Sequence, residues 1–188
     1  SELEKVKKEI RELLEEVRKI SKESEDRSRK SNDELHKSSE EVEKRIRDLL
    51  RELEKIVREL KDGDRETVVR VLDRVVEEVR RIVEEDKRRI EEVLKRDKKL
   101  VEESVRLIEK VVRDIEEIVK ELERRLREKK DVVKELREVL ERAEREARKL
   151  IKRNDEILKE SEKNARDLIR RTEELLRRAK KRVDELKK

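Results

Sequence analysis

The sequence has no cysteine, proline, methionine, tryptophan, tyrosine or phenylalanine, and it has one glycine among its 188 residues. The lack of cysteine excludes disulfides, thiolate metal sites and cysteine-attached haem. The lack of aromatic side chains excludes stacking on nucleic-acid bases. One glycine cannot supply the turns of a β-rich fold. No apolar run approaches the roughly 20 residues of a membrane span, and no targeting signal is visible. We therefore expect no membrane partner, and the localisation stays unknown.

Charged residues make up 60% of the chain, where about 25% is usual. The net charge is only +5, because 59 basic and 54 acidic residues nearly cancel, and the two signs alternate along the sequence. Nucleic-acid binding needs a concentrated basic face that displaces counterions from several phosphates. The mixed charges therefore argue against a nucleic-acid partner. Disorder is also disfavoured, because the net charge per residue is small and the apolar residues are strongly periodic.

Apolar residues recur at steps of three and four along almost the whole chain, which places them on one face of an α-helix. The pattern predicts helices at about 2–61, 65–128 and 131–187 in a single domain over 1–188. Adjacent apolar doublets such as Leu13-Leu14 and Leu49-Leu50 widen the stripe enough to contact two neighbours. We therefore predict an all-α fold, an elongated antiparallel three-helix bundle of helices of about 60 residues with coiled-coil-like packing. Each helix would be about 90 Å long.

Two short segments break the pattern. In the first, residues 61–64, Gly63 can take a left-handed conformation that ends a helix, and Asp64 can cap the next one. The second, residues 127–131, contains the candidate cap Asp131 but no glycine or proline. Because the apolar register continues through it, an uninterrupted helix over 65–187 is an alternative. The similar lengths of three helices favour a hairpin, since equal antiparallel helices bury each other fully.

Polar residues replace apolar ones in the middle of the predicted bundle. Between residues 21 and 41 the first helix has a single apolar residue, Leu35. Serine and asparagine are poor helix-interior residues, so helix propensity does not explain them. Pairing the helices about the two turns brings polar positions of all three to the same levels. We predict a central polar belt, structural in role, made of Ser21, Ser24, Ser28, Ser31, Asn32, His36, Ser38, Asp86, Asp97, Ser104, Asn154, Ser161, Asn164 and Thr172.

Two interpretations of this belt stay open. In one, hydroxyls, amides and carboxylates are buried and hydrogen-bonded to one another, which avoids a cost of about 1–3 kcal/mol for each unsatisfied group and penalises wrong registers. In the other, the first helix loosens there and the segment faces solvent or a partner. The three levels are predicted to be Ser21 with Ser104 and Asn154, Ser28 with Asp97 and Ser161, and Ser38 with Asp86 and Thr172.

The chain resembles de novo designed helical bundles built on parametric backbones with buried hydrogen-bond networks. The resemblance covers the whole chain and rests on its Glu, Lys, Arg, Leu and Val alphabet, the Ser1-Glu2 start, the Asp62-Gly63-Asp64 connection and the central polar belt. The second connection departs from such designs, because it lacks glycine. Natural spectrin-type repeats are also long three-helix bundles, but they usually carry a buried tryptophan that is absent here. The resemblance implies no natural activity, and a role as scaffold, oligomer or partner of other helices.

Catalytic and metal sites are poorly supported. Asp33 and His36 have the carboxylate-x-x-His spacing of di-iron bundles, but those sites need two histidines and the chain has one. Ser28 and His36 lie about 12 Å apart along one helix axis, so a catalytic triad with Asp97 is not expected. His36 is expected to join the network or to be exposed; buried between chains, it could act as a pH-sensitive group. We expect no enzyme, no cofactor, no metal and no small-molecule substrate.

The sequence thus predicts a designed structural scaffold without natural biochemical activity. The alternative is a designed interaction module that self-associates as a homo-oligomer, or binds a partner helix through its apolar face and the polar belt. The oligomeric state in solution distinguishes the two.

Overall fold

The computed structural model describes residues 1–60 and 63–188. It contains three long helices, α1 (Glu2–Glu59), α2 (Arg65–Arg125) and α3 (Lys130–Lys187), and no strand within the described residues. The predicted all-α, three-helix fold is confirmed. The chain forms two compact units: the first comprises 1–29 and 96–160, and the second comprises 30–95 and 161–188. The prediction of one domain over 1–188 stays a prediction.

Ion pairs give the helix directions within each unit. In the first unit Lys7 pairs with Glu135 and Arg18 with Glu146, both at an offset of 128 residues, so α1 and α3 run in the same direction there. In the second unit Glu43 pairs with Arg171 and Glu54 with Arg182, again at an offset of 128 residues and with the same consequence. α2 runs the opposite way. Its pairs with α1 are Glu2–Arg125 in the first unit and Arg45–Glu78 in the second. Its pairs with α3 are Glu123–Arg137 in the first unit and Lys87–Glu173 in the second.

Buried positions recur at five-turn intervals within each helix. In α1 the buried series includes Ile10, Ser28 and Ile46; in α2 it includes Leu72, Ile90 and Ile108. Because an α-helix has about 3.6 residues per turn, each step in these series is a whole number of turns, and the positions lie on one line along the helix. A seven-residue repeat would drift by about 20° per heptad on a straight helix. The buried face therefore runs parallel to each helix axis.

The first connection differs from the prediction in one respect. Lys61 and Asp62, which the prediction placed in the helix end and the turn, lie outside the described residues. Gly63 does not have a left-handed φ; its backbone N donates to the Leu60 carbonyl at 2.8 Å. A Cβ on Gly63 would approach that carbonyl oxygen to 3.2 Å, so a close approach of backbone, and not a left-handed turn, favours glycine here. Asp64 caps α2 as predicted, accepting from the Glu66 backbone N at 3.1 Å.

The second connection is a turn, as the hairpin prediction required. α2 ends at Arg125 and not near 128, and residues 126–129 separate it from α3. The Lys129 backbone N donates to the Leu126 carbonyl at 2.8 Å, which closes the turn. Asp131 is not the cap: α3 begins one residue earlier, and Asp131 lies in its first turn, where a negative charge is favourable beside the helix N-terminus.

The two units have differently arranged cores. The first unit has one large cluster, centred on Ile10, Val17, Ile108, Ile115 and Leu136. The second unit has three smaller clusters. Their buried members are Leu35, Ile90, Val93, Ala165 and Leu168 in one, Val42, Ile46, Val79, Ile82, Val83 and Ala179 in another, and Leu53, Leu72 and Val183 in the last.

Candidate functional site

The structure buries most of the predicted belt residues. Asn32, Ser31, Ser38 and Asn164 are half-buried, and His36 is exposed. The buried members, each at most 4% exposed, are Ser21, Ser24, Ser28, Asp86, Asp97, Ser104, Asn154, Ser161 and Thr172. Every one of these nine lies on the line of buried positions of its helix. The geometry therefore turns these polar groups inward regardless of their polarity.

Ser39, and not Ser38, is the buried serine at the third predicted level. Ser39 is 8% exposed, whereas Ser38 is half-buried. The prediction extended a seven-residue step from Ser24 through Ser31 to Ser38. That step falls short of two full turns by about 20°, and the shortfall accumulates from one heptad to the next. Ser39 stays on the buried line because it follows Ser21 by five full turns of the helix.

In the first unit, Ser21, Ser104 and Asn154 form a polar layer. The Asn154 Nδ2 donates to the Ser21 Oγ at 3.0 Å and to the carbonyl of Leu150, one turn earlier, at 2.8 Å. The two amide hydrogens of Asn154 thus satisfy an interhelical and an intrahelical acceptor. This bond joins α1 to α3 inside the core. Burial strengthens such a bond electrostatically and makes its loss expensive.

Ser28 and Asp97 are also buried in the first unit, at 0% and 3% exposure. Ser24, one turn before Ser28, is 3% exposed, and its hydroxyl has no hydrogen-bond partner among the described residues. Because α1 carries Ser21, Ser24 and Ser28 on its buried line, its contribution to the core there is small and polar. The predicted level of Ser28, Asp97 and Ser161 joins residues assigned to different units, so it stays a prediction.

In the second unit, Ser39, Asp86 and Thr172 form a second polar layer. Along α1, Ser39 lies between the core residues Leu35 and Val42; along α2, Asp86 lies between Val83 and Ile90. Thr172 lies likewise between Leu168 and Ala179 of α3. Lys87 and Glu173, their next residues, pair at 3.8 Å. The layer therefore separates two apolar clusters.

Asp86 is the only charged member of this layer. Its carboxylate is 1% exposed, and its Oδ1 accepts from Arg89 Nη2 at 2.8 Å. Arg89 is 47% exposed, so the guanidinium reaches Asp86 from the surface, one turn along the same helix. The pair keeps a buried charge compensated, as buried carboxylates require.

Amide side chains form a third polar contact, at the half-buried edge of the second unit. Asn32 Nδ2 donates to the Ser161 Oγ at 3.3 Å, and Asn164 Nδ2 donates to the Asn32 Oδ1 at 3.3 Å. Both bonds link α1 to α3. Sequence reasoning placed all three residues in the belt without predicting which of them pair.

Surface ion pairs surround the cores and shift several pKa values. The Arg18 guanidinium donates to Glu146, and this bond raises the pKa of Arg18 above its usual value, aided by Glu15. In the second unit, the hydrogen bond from Arg182 lowers the pKa of Glu54 below its usual value of 4.5. These pKa shifts are those expected of ion pairs between helices, and they do not by themselves indicate a catalytic site.

The residues considered for catalysis or metal binding do not come together in one site. Ser28 is fully buried whereas His36 is exposed, so the two point in different directions from α1. Asp33 is exposed as well. Among the described residues no cluster of three or more histidine and acidic side chains could hold a metal ion. The proposal of a pH-sensitive His36 between chains is untested.

A cavity of about 440 Å³ opens in the second unit, where α1 and α3 end and α2 begins. Val57, Val68 and Leu186 line its apolar side. At its edge, Arg182 Nε donates to Glu54 Oε1 at 2.6 Å, and Arg65 Nη2 donates to the Lys187 carbonyl at 3.3 Å. These contacts tie the helix ends of this unit together.

Within the described residues, no helix is long and apolar enough to cross a membrane. No protein-family model matches the sequence, and no curated protein matches it. A solved structure described as a "Computationally designed three helix bundle" is similar in fold. It has a TM-score of 0.67 and 22% sequence identity, and the match covers 99% of this chain and 87% of that chain. At this identity the likeness shows the three-helix fold.

Proposed function

We propose that this chain is a designed structural scaffold without natural biochemical activity. The observation that carries the proposal is the five-turn recurrence of buried positions in all three helices. A sequence that keeps one line of burial over such long intervals, using mostly Glu, Lys, Arg, Leu and Val, is what parametric backbone design produces. The similar structure carries a description of the same kind, which supports the proposal.

The scaffold role follows from how the helices are held. Apolar side chains fill the buried lines, and ion pairs such as Arg153–Glu25, at 2.7 Å, join neighbouring helices at the surface. The buried hydrogen bond between Asn154 and Ser21 favours one pairing of α1 with α3, because a shifted register would leave both groups unsatisfied. We further propose that residues 1–188 act as one domain, with no enzymatic function.

The alternative function is an interaction module, and one observation favours it. Leu107 is 46% exposed, and it is the one large hydrophobic side chain exposed among the described residues. The equivalent positions of α2 carry charged residues: Arg89 lies five turns before Leu107, and Arg125 lies five turns after it. A leucine at this exposed position therefore departs from the pattern of the helix. A single exposed leucine is normal on a monomer, so the scaffold remains the better-supported function.

The deciding experiment is mass in solution, measured by light scattering after size exclusion at several protein concentrations. A scaffold should elute as a monomer of 23.0 kDa at every concentration, and Leu107→Arg should elute identically. A concentration-dependent mass that returns to the monomer in Leu107→Arg would favour the interaction module. Glu103→Arg, one turn away on the same helix and also exposed, is the matched control because it adds positive charge to this surface without removing apolar area.

A further inference from the structure

The polar layer of the second unit contains buried oxygens that the protein itself does not satisfy. Ser39 Oγ, Asp86 Oδ2 and Thr172 Oγ1 have no hydrogen-bond partner among the described residues. All three residues are at least nine-tenths buried. Burying such groups unsatisfied is unfavourable, and native structures normally avoid it through protein or water partners. The layer thus combines two hydroxyls and one carboxylate oxygen in need of partners.

The equivalent layer of the first unit explains why direct bonds are missing. Ser21 and Asn154 lie five turns before Ser39 and Thr172 on the same buried lines. There the amide of Asn154 reaches Ser21 at 3.0 Å. Threonine is one atom shorter than asparagine, so at the equivalent position Thr172 falls short of Ser39. The gap between α1 and α3 that an asparagine side chain bridges in the first unit is therefore not bridged by threonine in the second unit.

We propose that the layer of Ser39, Asp86 and Thr172 is a binding site for one internal water molecule. A buried water typically makes about three hydrogen bonds to otherwise unsatisfied groups. The three oxygens provide that number with suitable polarity. The water donates to Asp86 Oδ2, and it accepts from the hydroxyls of Ser39 and Thr172.

The surrounding charges favour water over a cation as the ligand. Asp86 already binds Arg89 through its other oxygen, so the carboxylate charge is largely compensated. A cation would have to shed its hydration shell for two neutral hydroxyls and a carboxylate already shared with arginine. The apolar clusters on both sides restrict exchange with solvent, so the water should be long-lived. The inference concerns the core of the second unit and does not depend on the scaffold role.

The test is the oxygen-17 magnetic relaxation dispersion of water, which detects long-lived internal water and is insensitive to exchange of hydroxyl protons. The variants are Thr172→Val, which keeps the side-chain shape and removes the hydroxyl, and Thr67→Val, the same change at an exposed position. We expect the low-frequency dispersion amplitude to fall in Thr172→Val by the contribution of one water molecule, and to be unchanged in Thr67→Val. Equal amplitudes in the unchanged protein and Thr172→Val would overturn the proposal.

A second variant tests the geometric reason. Thr172→Asn places in the second unit the same amide side chain that, as Asn154, reaches Ser21 in the first unit. We expect it to displace the water, with the same fall in amplitude, while a direct bond forms to Ser39. If Thr172→Val does not fold, as judged by circular dichroism, a crystal structure of the unchanged protein decides. Density for water within hydrogen-bond distance of all three oxygens supports the site, and direct hydroxyl-to-carboxylate bonds refute it.

Discussion

The two units use the same helical geometry to build cores of different continuity. In the first unit, one large cluster of buried apolar residues lies on one side of the layer of Ser21, Ser104 and Asn154, and Val101 and Ile157 are buried beyond that layer. In the second unit, Ser39, Asp86 and Thr172 lie between apolar residues, and the core is divided. Since buried positions recur at five-turn intervals in both, the difference arises from which residues occupy equivalent positions.

The comparison teaches that geometry decides where a side chain points and that composition decides what it contributes there. Ile90 and Ile108 are both 0% exposed and occupy equivalent positions of α2 in different units. Ile108 lies in the large cluster of the first unit, one turn from Ser104, whereas Ile90 lies in a smaller cluster, one turn from Asp86. Substitutions at these matched positions therefore compare a neighbouring buried hydroxyl with a neighbouring buried carboxylate.

The largest expected effect is the loss of core volume at this matched pair. We expect Ile108→Ala and Ile90→Ala each to lower the free energy of unfolding by about 2–5 kcal/mol. Ile108→Ala should cost more, because Ile108 packs in the larger apolar cluster and its polar neighbour Ser104 is uncharged, whereas the charged Asp86 beside Ile90 favours entry of water into the cavity. Urea unfolding monitored by circular dichroism measures both. An equal or larger loss for Ile90→Ala would contradict the proposed difference between the cores.

A somewhat smaller effect is expected from Asp86. Asp86→Ala should cost about 1–3 kcal/mol, because it removes the carboxylate that accepts from the proposed water and leaves that buried donor unsatisfied. Replacing the whole layer with Ser39→Ala, Asp86→Leu and Thr172→Val should be neutral or stabilising, as for buried ionic groups replaced by apolar ones. Urea unfolding of the single and triple variants tests this prediction. A triple variant less stable than Asp86→Ala would show that the layer stabilises the fold outright.

The helix starts extend the comparison to the connections. α2 in the second unit begins with the side-chain cap Asp64, whereas α3 in the first unit begins after Lys129, which offers only its carbonyl, to the Val132 and Val133 backbone N at 3.1 Å. We expect Asp64→Ala to destabilise and Lys129→Ser to stabilise, each by about 1 kcal/mol. Thermal unfolding measures both changes. No gain from Lys129→Ser would mean that the turn conformation prevents the new hydroxyl from capping.

The smallest effect is the pH dependence of the ion pair between Glu54 and Arg182. The pKa of Glu54 is lowered in the folded state by the hydrogen bond from Arg182. The pair therefore stabilises above the usual pKa of 4.5, and its contribution disappears as the pH falls through the lowered value. At pH 7, Glu54→Gln should cost at most about 1 kcal/mol, as for exposed pairs. Urea unfolding at pH 7 and pH 2.5 should show this difference vanishing in acid.

Much of this architecture was readable from the amino-acid sequence. The three- and four-residue spacing of apolar side chains predicted three helices, and Asp64 was correctly placed as a cap, because both depend on neighbouring residues. The inward direction of Asp86 and Asp97 followed from the same spacing. For the second connection an uninterrupted helix was the alternative, since residues 127–131 lack a strong breaker, and the position at which α2 ends depends on packing at the turn.

Other features required the tertiary structure. Heptad counting favoured Ser38 over Ser39, because a small angular error per turn accumulates over several heptads. The conformation of Gly63 was also predicted wrongly, since a glycine can relieve a close backbone approach as well as adopt positive φ. The pairing of Asn154 with Ser21 depends on side-chain reach, which spacing within one helix does not specify.

The sequence by itself determined that the chain forms helices, which face of each is buried, and which residues occupy that face, because helical periodicity is a local property. Only the tertiary structure decided which polar groups meet, which buried oxygens lack protein partners, and how each core is divided. Those outcomes depend on angles and distances between helices, where a shift of one residue or one side-chain atom makes or breaks a hydrogen bond.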